Sequence, residues 1–174
     1  MNRKIKAKIK ALEKEIKEVE RISPFTQVSF RALQNSRTIQ KRLEVEFEKS
    51  LRAKEGRKGL AERINKVMEE NINRAKTIAQ TERTRALNGK RYADALRQYK
   101  NKLESGTLTN VPLFQWVNPR TAKEPRHEHV AISGDVRPVG EEFLPSLRYP
   151  GDPNAPASQT INCHCYIRRY NRGE

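Results

Sequence analysis

The sequence predicts an α+β protein in which long basic helices precede a small, loop-rich α/β domain with short strands. Proline supports this division, because only Pro24 of the nine prolines precedes residue 106. Apolar residues recur with helical spacing before residue 106, and short apolar or β-branched runs follow it. We therefore expect a basic helical arm over 1–58, a long helix over 59–105 and a compact module over 106–174.

The first helix is expected over about residues 3–21. Its apolar residues follow one another at steps of 4 and 3, which forms a heptad seam on a charged helix: Ile5, Ile9, Leu12, Ile16 and Val19. The seam covers fewer than three heptads, which is too short for a stable free coiled coil. Two partners stay open for the seam, the next helix of the same chain or another protein chain.

Two further helices are expected before residue 106. The second helix runs over about 26–54, and Gly56 and Gly59 break the pattern after it. Its apolar face contains Phe30, Leu33, Leu43, Phe47 and Leu51. The third helix begins near Leu60 and continues to Leu103, with Asn88-Gly89 as the place where it is expected to bend or split.

Short extended segments are expected after residue 106. Residues 113–117 read as a buried strand, residues 134–139 as a turn that leads into a strand, and residues 161–169 as a final strand. Residues 150–153 (Pro-Gly-Asp-Pro) predict a turn, because proline fixes φ and glycine permits positive φ.

Charge is the strongest compositional signal. The net charge is +15 with a pI near 10.1, and residues 1–105 carry +14 of it. The positive electrostatic field of such a chain favours binding to a polyanion, and nucleic acid is favoured over a membrane surface. The alternative is a Lys-rich helical surface that only contacts solvent. We expect non-specific contacts with double-stranded DNA through Lys4, Lys6, Lys8, Lys10, Arg37, Lys41 and Arg42.

Several classes of protein are disfavoured. No run approaches the roughly 18 apolar residues of a spanning helix, and Glu-rich sequence follows the basic N-terminus, so we expect neither a membrane span nor a signal peptide. No nucleophile elbow, phosphate-binding glycine loop or evident carboxylate pair is present, so we expect no enzyme. Glu82 is expected in an ion pair, either buried against the C-terminal module or on the helix surface.

All histidines and cysteines lie in two short clusters, His127-Glu128-His129 and Cys163-His164-Cys165. Thiolate and imidazole are preferred zinc ligands, so His127, His129, Cys163 and Cys165 are candidate ligands of a structural zinc ion. In a strand, Cys163 and Cys165 would share one face while His164 points away. Packed reduced thiols, or a disulfide or reactive thiol, stay open as alternatives.

Five segments follow one another in a characteristic order, namely 79–82, Trp116, 126–134, 149–153 and 161–165. This order resembles the C-terminal domain of the Mu F-like phage head morphogenesis family, over about residues 75–170. Gln80 and His164 stand where the family has arginine, and Ile132-Ser133 where it has Leu-Asp. The matching positions are Thr81, Glu82, Trp116, Arg126, His129, Gly134, Pro150, Gly151, Asp152, Asn162, Cys163 and Cys165. Together they predict family membership more strongly than any single motif.

The resemblance implies a minor capsid protein of a tailed bacteriophage. Such a protein would lie inside the head in association with the portal, and in the host cytoplasm during assembly. It would contact the portal and other head proteins, in several copies or as a homo-oligomer, and assist head assembly or DNA ejection. The alternative is a stand-alone nucleic-acid-binding module with a Cys/His zinc site.

Overall fold

The computed structural model describes residues 3–21, 24–107 and 110–171, apart from the side chains of 21 and 24–33. Three long helices come first, α1 (Arg3–Arg21), α2 (Pro24–Arg52) and α3 (Arg57–Glu104). The remaining elements are β1 (Leu113–Val117), α4 (His127–Ala131), β2 (Val136–Pro138), α5 (Ala157–Thr160) and β3 (Tyr166–Tyr170). The predicted α+β class is confirmed. Among the described residues, no helix is long and apolar enough to span a bilayer.

The chain divides into two compact units with boundaries different from those expected. The first unit contains Met1–Pro24 and Gln80–Glu174, and the second contains Phe25–Ala79. The expected arm over 1–58 is therefore not one body, and α3 contributes to both units. The physical reason is that the heptad seam of α1 belongs to the core of the first unit.

In the first unit, the seam of α1 lies against the second half of α3. Ile9, Leu12 and Ile16 are buried in one apolar cluster with these residues of α3: Tyr92, Leu96, Tyr99 and Leu103. Charged contacts flank the seam, since Lys100 Nζ lies 3.0 Å from Glu13 Oε1. The partner of the seam is thus in the same chain, but it is α3 and not the next helix, α2. The hypothesis that the seam docks on another protein is wrong for this surface.

The sheet has the strand order β2-β1-β3, with both pairings antiparallel. In β1, Phe114 and Trp116 are buried and alternate with less buried residues, as expected for a strand with one face on the core. Trp116 lies opposite Ile167 of β3, and both are fully buried. The predicted strand over 113–117 is confirmed residue for residue.

Side chains of α3 cover the edge of β3 and the segment before it, an arrangement we call the edge ladder. Thr84 Oγ1 donates to the Cys163 carbonyl (2.5 Å), and Asn88 Nδ2 donates to the Cys165 carbonyl (3.3 Å). Asn88 Oδ1 accepts the Ile167 N–H (3.0 Å), and Arg91 Nη1 donates to the Ile167 carbonyl (3.4 Å). The ladder satisfies backbone groups that an edge strand would leave unpaired.

The edge ladder explains why Asn88-Gly89 does not interrupt α3. The side chain of Asn88 is 1% exposed. Its Nδ2 donates to the Thr84 carbonyl one turn earlier in α3 (2.8 Å), and its Oδ1 accepts the Ile167 N–H of the strand. A Cβ at Gly89 would lie 3.7 Å from Val19 and 3.8 Å from Tyr149, which is ordinary van der Waals contact, so packing does not require a glycine at this helical position. The expected split at this dipeptide is wrong, because α3 is continuous through it.

The final strand is shorter than predicted. Ala157–Thr160 forms α5, a turn follows at 161–162, and β3 begins only at Tyr166. The turn at 150–153 forms as expected, with Gly151 at φ +83°. A Cβ at Gly151 would lie 2.8 Å from Arg85 Cα, so this turn and α3 approach too closely for any other residue.

The second unit consists of most of α2 and the first half of α3. Arg63 bridges its helices and turn, since its guanidinium contacts Glu46 Oε2 (2.9 Å) and Glu55 Oε1 (2.7 Å). Phe47 and Leu51, expected on an apolar packing face, are 49% and 63% exposed. The side chains of Phe30 and Leu33 lie outside the described part of the chain.

Candidate metal centre and basic surfaces

Three of the four predicted metal ligands meet in the core of the first unit. His129 Nδ1 lies 3.6 Å from Cys163 Sγ and 3.6 Å from Cys165 Sγ, and the three ligand atoms lie within 4.8 Å of one another. All three residues are buried, with His129 only 2% exposed. We call His129, Cys163 and Cys165 the Cys/His cluster.

Helix α4 and the irregular segment before β3 place this cluster. His129 lies on α4, where its ring meets the Trp116 ring edge-on, with centroids 5.1 Å apart. Cys163 and Cys165 lie in irregular chain before β3, and the edge ladder holds their carbonyls toward α3. The prediction that both sulfurs share one side is therefore confirmed without the predicted strand. His164 points elsewhere, with its Nδ1 3.1 Å from Thr121 Oγ1.

His127 is not part of the cluster among the described residues. It is the first residue of α4 and is exposed, whereas His129 is buried. The His-x-His spacing suits one ligand site in a strand, but in a helix residues i and i+2 lie on different faces. The predicted four-ligand set is thus corrected to three protein ligands.

A hydrogen-bonded pair of side chains supports His129 from behind. Gln159 Oε1 lies 2.7 Å from His129 Nε2, and Gln159 Nε2 donates to Glu128 Oε2 at 2.6 Å. The sequence offers no signal for Gln159, because α5 and α4 are distant in sequence and neither motif includes it. The cluster also borders a cavity of about 20 Å³ beside Glu124 and Arg126, which has room for one water molecule.

A hydrogen bond between the two thiols shifts their pKa values in opposite directions. A hydrogen bond from Cys165 lowers the pKa of Cys163 to about 5, with a further contribution from His129. The same bond raises the pKa of Cys165 well above the usual thiol range. The Trp116 indole acts against this rise in the pKa of Cys165 without reversing it, so Cys163 is the sulfur at which a thiolate is favoured.

The other residues that carry the family resemblance also lie in the first unit. Asn162 N donates to Thr81 Oγ1 at 2.9 Å, and Arg126 Nη2 donates to the Ile161 carbonyl at 2.6 Å. Gly134 N donates to the Trp116 carbonyl at 2.9 Å. Motifs that are far apart in sequence therefore hold one another in place.

Two buried acidic residues of this set are paired with arginine. Arg148 Nε donates to the fully buried Asp152 at 2.8 Å, next to Pro150 and Gly151 in the turn. Glu82 is 3% exposed and lies 3.3 Å from Arg85 Nη1. The expected ion pair of Glu82 thus has its partner on the same helix, but it is buried.

The residues predicted to bind DNA are exposed but divided between the two units. Lys4, Lys6, Lys8 and Lys10 lie on α1 in the first unit, and Arg37, Lys41 and Arg42 lie on α2 in the second. Lys8 and Arg42 are examples of such residues that are engaged within the protein. Lys8 Nζ lies 5.1 Å from the Tyr99 ring centroid, and Arg42 forms an ion pair with Glu70.

Comparison with known proteins adds no assignment to this geometry. No family model matches the chain, and searches of curated proteins and of solved structures find no match either.

Proposed function

We propose that this protein is a minor head protein of a tailed bacteriophage, associated with the portal inside the head. In this proposal the chain contacts packaged DNA without sequence readout and assists head assembly or DNA ejection. The resemblance to the Mu F-like head morphogenesis family is the basis of the proposal. The surplus of basic residues in this chain suits a compartment filled with DNA phosphates.

One observation supports the proposal above the others, the mutual contacts of the resembling motifs. The Thr81 hydroxyl accepts from the backbone of Asn162, and His129 contacts both Cys163 and Cys165. Chance matches spread over about 90 residues would have no reason to meet in one core. The contacts between these motifs support the view that the motifs belong to one domain.

We also propose that the Cys/His cluster holds a structural zinc ion. Zn–S bonds of about 2.3 Å and Zn–N bonds of about 2.0–2.1 Å at a tetrahedral angle place nitrogen and sulfur about 3.6 Å apart. Both measured Nδ1–Sγ distances are 3.6 Å. A fourth ligand would be a water molecule in the adjoining cavity. When bound, zinc would cross-link α4 to the chain before β3.

Metal removal tests the zinc proposal. We expect chelation to lower the melting temperature by about 5–10 °C, which is the effect of losing a ligand present at a hundredfold excess over its Kd. The variant Cys163→Ala should melt at the same temperature with and without chelator. Equal melting of the native protein in zinc and in chelator would contradict the proposal and favour packed thiols.

The stand-alone nucleic-acid-binding module is the second candidate, and the Cys/His cluster favours it, because a metal-stabilised core suits a small free domain. Sedimentation of the purified protein with its cognate portal, and separately with duplex DNA, across a salt series separates the two. We expect portal association that survives moderate salt. Salt-sensitive DNA binding without portal association would favour the second candidate.

A further inference from the structure

A groove between α3 and β3 collects four exposed arginines of the first unit, which we call the arginine groove: Arg83, Arg91, Arg168 and Arg169. Two adjoining cavities of about 340 and 180 Å³ form it, and they share Arg91 and Tyr166. None of these arginines was among the predicted phosphate contacts.

The charges of the arginine groove are not neutralised within the described structure. Other arginines of the unit lie in ion pairs, for example Arg148 with Asp152 and Arg97 with Glu20. No ion pair involves a groove arginine among residues 3–21, 24–107 and 110–171. Among the described residues that line the two cavities, the one carboxylate is Asp94 of the larger cavity, and it already pairs with Lys90 and Arg97.

Neighbouring groups hold three of the four guanidinium groups in place. Arg91 lies 5.8 Å from the Tyr166 ring centroid, and Arg169 lies 5.7 Å from that of Phe114. Arg168 Nε donates to Gln115 Oε1 at 2.8 Å, so its terminal nitrogens keep their donors. Arginine held on an aromatic face loses less side-chain entropy when it binds an anion, and its planar donors match phosphate oxygens.

We propose that the arginine groove binds the phosphate backbone of DNA. This inference rests on the DNA contact in the proposed function and names a different surface for it. Arg83 and Arg91 are eight residues apart on α3, or about 12 Å, which spans three to four base-pair rises of 3.4 Å. Contacts with phosphate carry no sequence information, so the groove would bind DNA without reading its base sequence.

Binding of the full chain to a mixed-sequence duplex tests this proposal through its salt dependence. The groove variant carries Arg83→Gln, Arg91→Gln, Arg168→Gln and Arg169→Gln. The matched control removes the same charge from α1 with Lys4→Gln, Lys6→Gln, Lys8→Gln and Lys10→Gln. We expect the slope of log K against log salt to fall by about 3–4 in the groove variant, since each lost phosphate contact removes about 0.9.

A slope that changes in the lysine control and stays native in the groove variant would overturn the inference and leave DNA contact by α1 intact. Absence of any DNA binding by the native chain would overturn both. A second measurement needs no variant. We expect DNA to protect the four groove arginines of the native protein from phenylglyoxal, read by peptide mass spectrometry.

Unchanged modification of these arginines in the presence of DNA would overturn the proposal. So would equal protection by polyglutamate at matched charge, because the groove would then be assigned to carboxylates of an acidic protein.

Discussion

The amide of Gln159 determines which ring nitrogen of His129 carries the proton. An ionised Glu128 carboxylate accepts hydrogen bonds and cannot donate them. The Gln159 Nε2 group therefore points toward Glu128, and Gln159 Oε1 points toward His129. An acceptor at this position requires a proton on His129 Nε2. In the neutral ring, Nδ1 then carries a lone pair directed at Cys163 and Cys165. Gln159 is thus a positioning residue for the proposed metal ligand.

Replacing Gln159 tests this positioning role. Gln159→Leu removes the acceptor, and we expect zinc affinity to fall by about 10–100-fold, as is typical when a partner of a ligating histidine is lost. Gln159→Glu combined with Glu128→Gln keeps an oxygen for the Nε2 proton and a donor–acceptor pair between the two side chains, so this variant should retain affinity near the native value. Competition with a zinc indicator measures both. Equal affinities for the leucine and glutamate variants would contradict the role of the amide.

Residue-scale chemistry was only partly predictable from sequence. His129 and both cysteines were identified because soft ligands are rare in this chain and lie in two clusters. His127 was assigned wrongly because the spacing does not reveal that α4 is a helix, which turns it away from His129. Gln159 gave no signal, since a glutamine near a Pro-Ala-Ser segment has no distinctive pattern.

At the scale of elements, α3 acts as a neighbouring strand for β3. Its side chains supply the donors and acceptors that a fourth strand would supply through its backbone. Asn88 is central, because one amide serves both the Ile167 N–H and the Cys165 carbonyl. The role of Asn88 could not be predicted from the sequence, because an Asn-Gly pair is also a common turn signal and the strand residues that Asn88 contacts lie 77 or more positions away.

Substitution of Asn88 tests the ladder. Asn88→Leu leaves a buried N–H and a buried carbonyl without this partner, and we expect a loss of about 2–4 kcal/mol in the free energy of unfolding. Gln80→Leu is the control, because the Cys163 carbonyl that Gln80 contacts keeps its bond from Thr84. Urea denaturation followed by fluorescence of Trp116, the single tryptophan, measures both. Comparable losses would contradict the ladder.

The ion pairs of the second unit predict a dependence of its stability on pH. Lys49 and Arg63 lower the pKa of Glu46, and Arg63 lowers the pKa of Glu55, relative to an ordinary value near 4.5. A carboxyl with a lowered folded pKa stabilises the fold above its unfolded pKa and loses that effect as pH falls through the folded pKa. Acidification below about pH 4.5 should therefore destabilise this unit.

Arg63→Gln should reduce this acid sensitivity, measured as the fall in melting temperature by circular dichroism between neutral and acidic pH. Arg74→Gln is the matched control, because Arg74 is exposed and forms no ion pair among the described residues. If both variants keep the native pH profile, Arg63 does not account for the effect.

At the scale of the whole molecule, residues from the two ends of the sequence build one core. Arg148 donates to Asp152 and also contacts Glu15 of α1 at 2.9 Å, next to the buried seam. The periodicity predicted the bounds of α1 correctly, because helical amphipathicity is local. The periodicity could not identify α3 as the packing partner of α1, because the spacing of apolar residues on one helix does not specify which surface packs against them.

The seam also makes a quantitative prediction for this core. Leu12→Ala removes a side chain that is 8% exposed, and we expect a loss of about 2–4 kcal/mol in the unfolding of the first unit. Leu51→Ala is the control, since Leu51 is 63% exposed and belongs to the second unit. Trp116 fluorescence in urea reports the first unit. A negligible effect of Leu12→Ala would contradict the assignment of α1 to this core.

The covered edge of β3 also bears on self-association. A sheet with open edges can pair with a sheet of another molecule, and this is a common route to aggregation. Here α3 blocks one edge, and the other belongs to β2, which is three residues long and contains Pro138, a residue without an N–H. The sheet therefore offers little template for strand addition, so the first unit can be held at high local concentration without pairing through its strands.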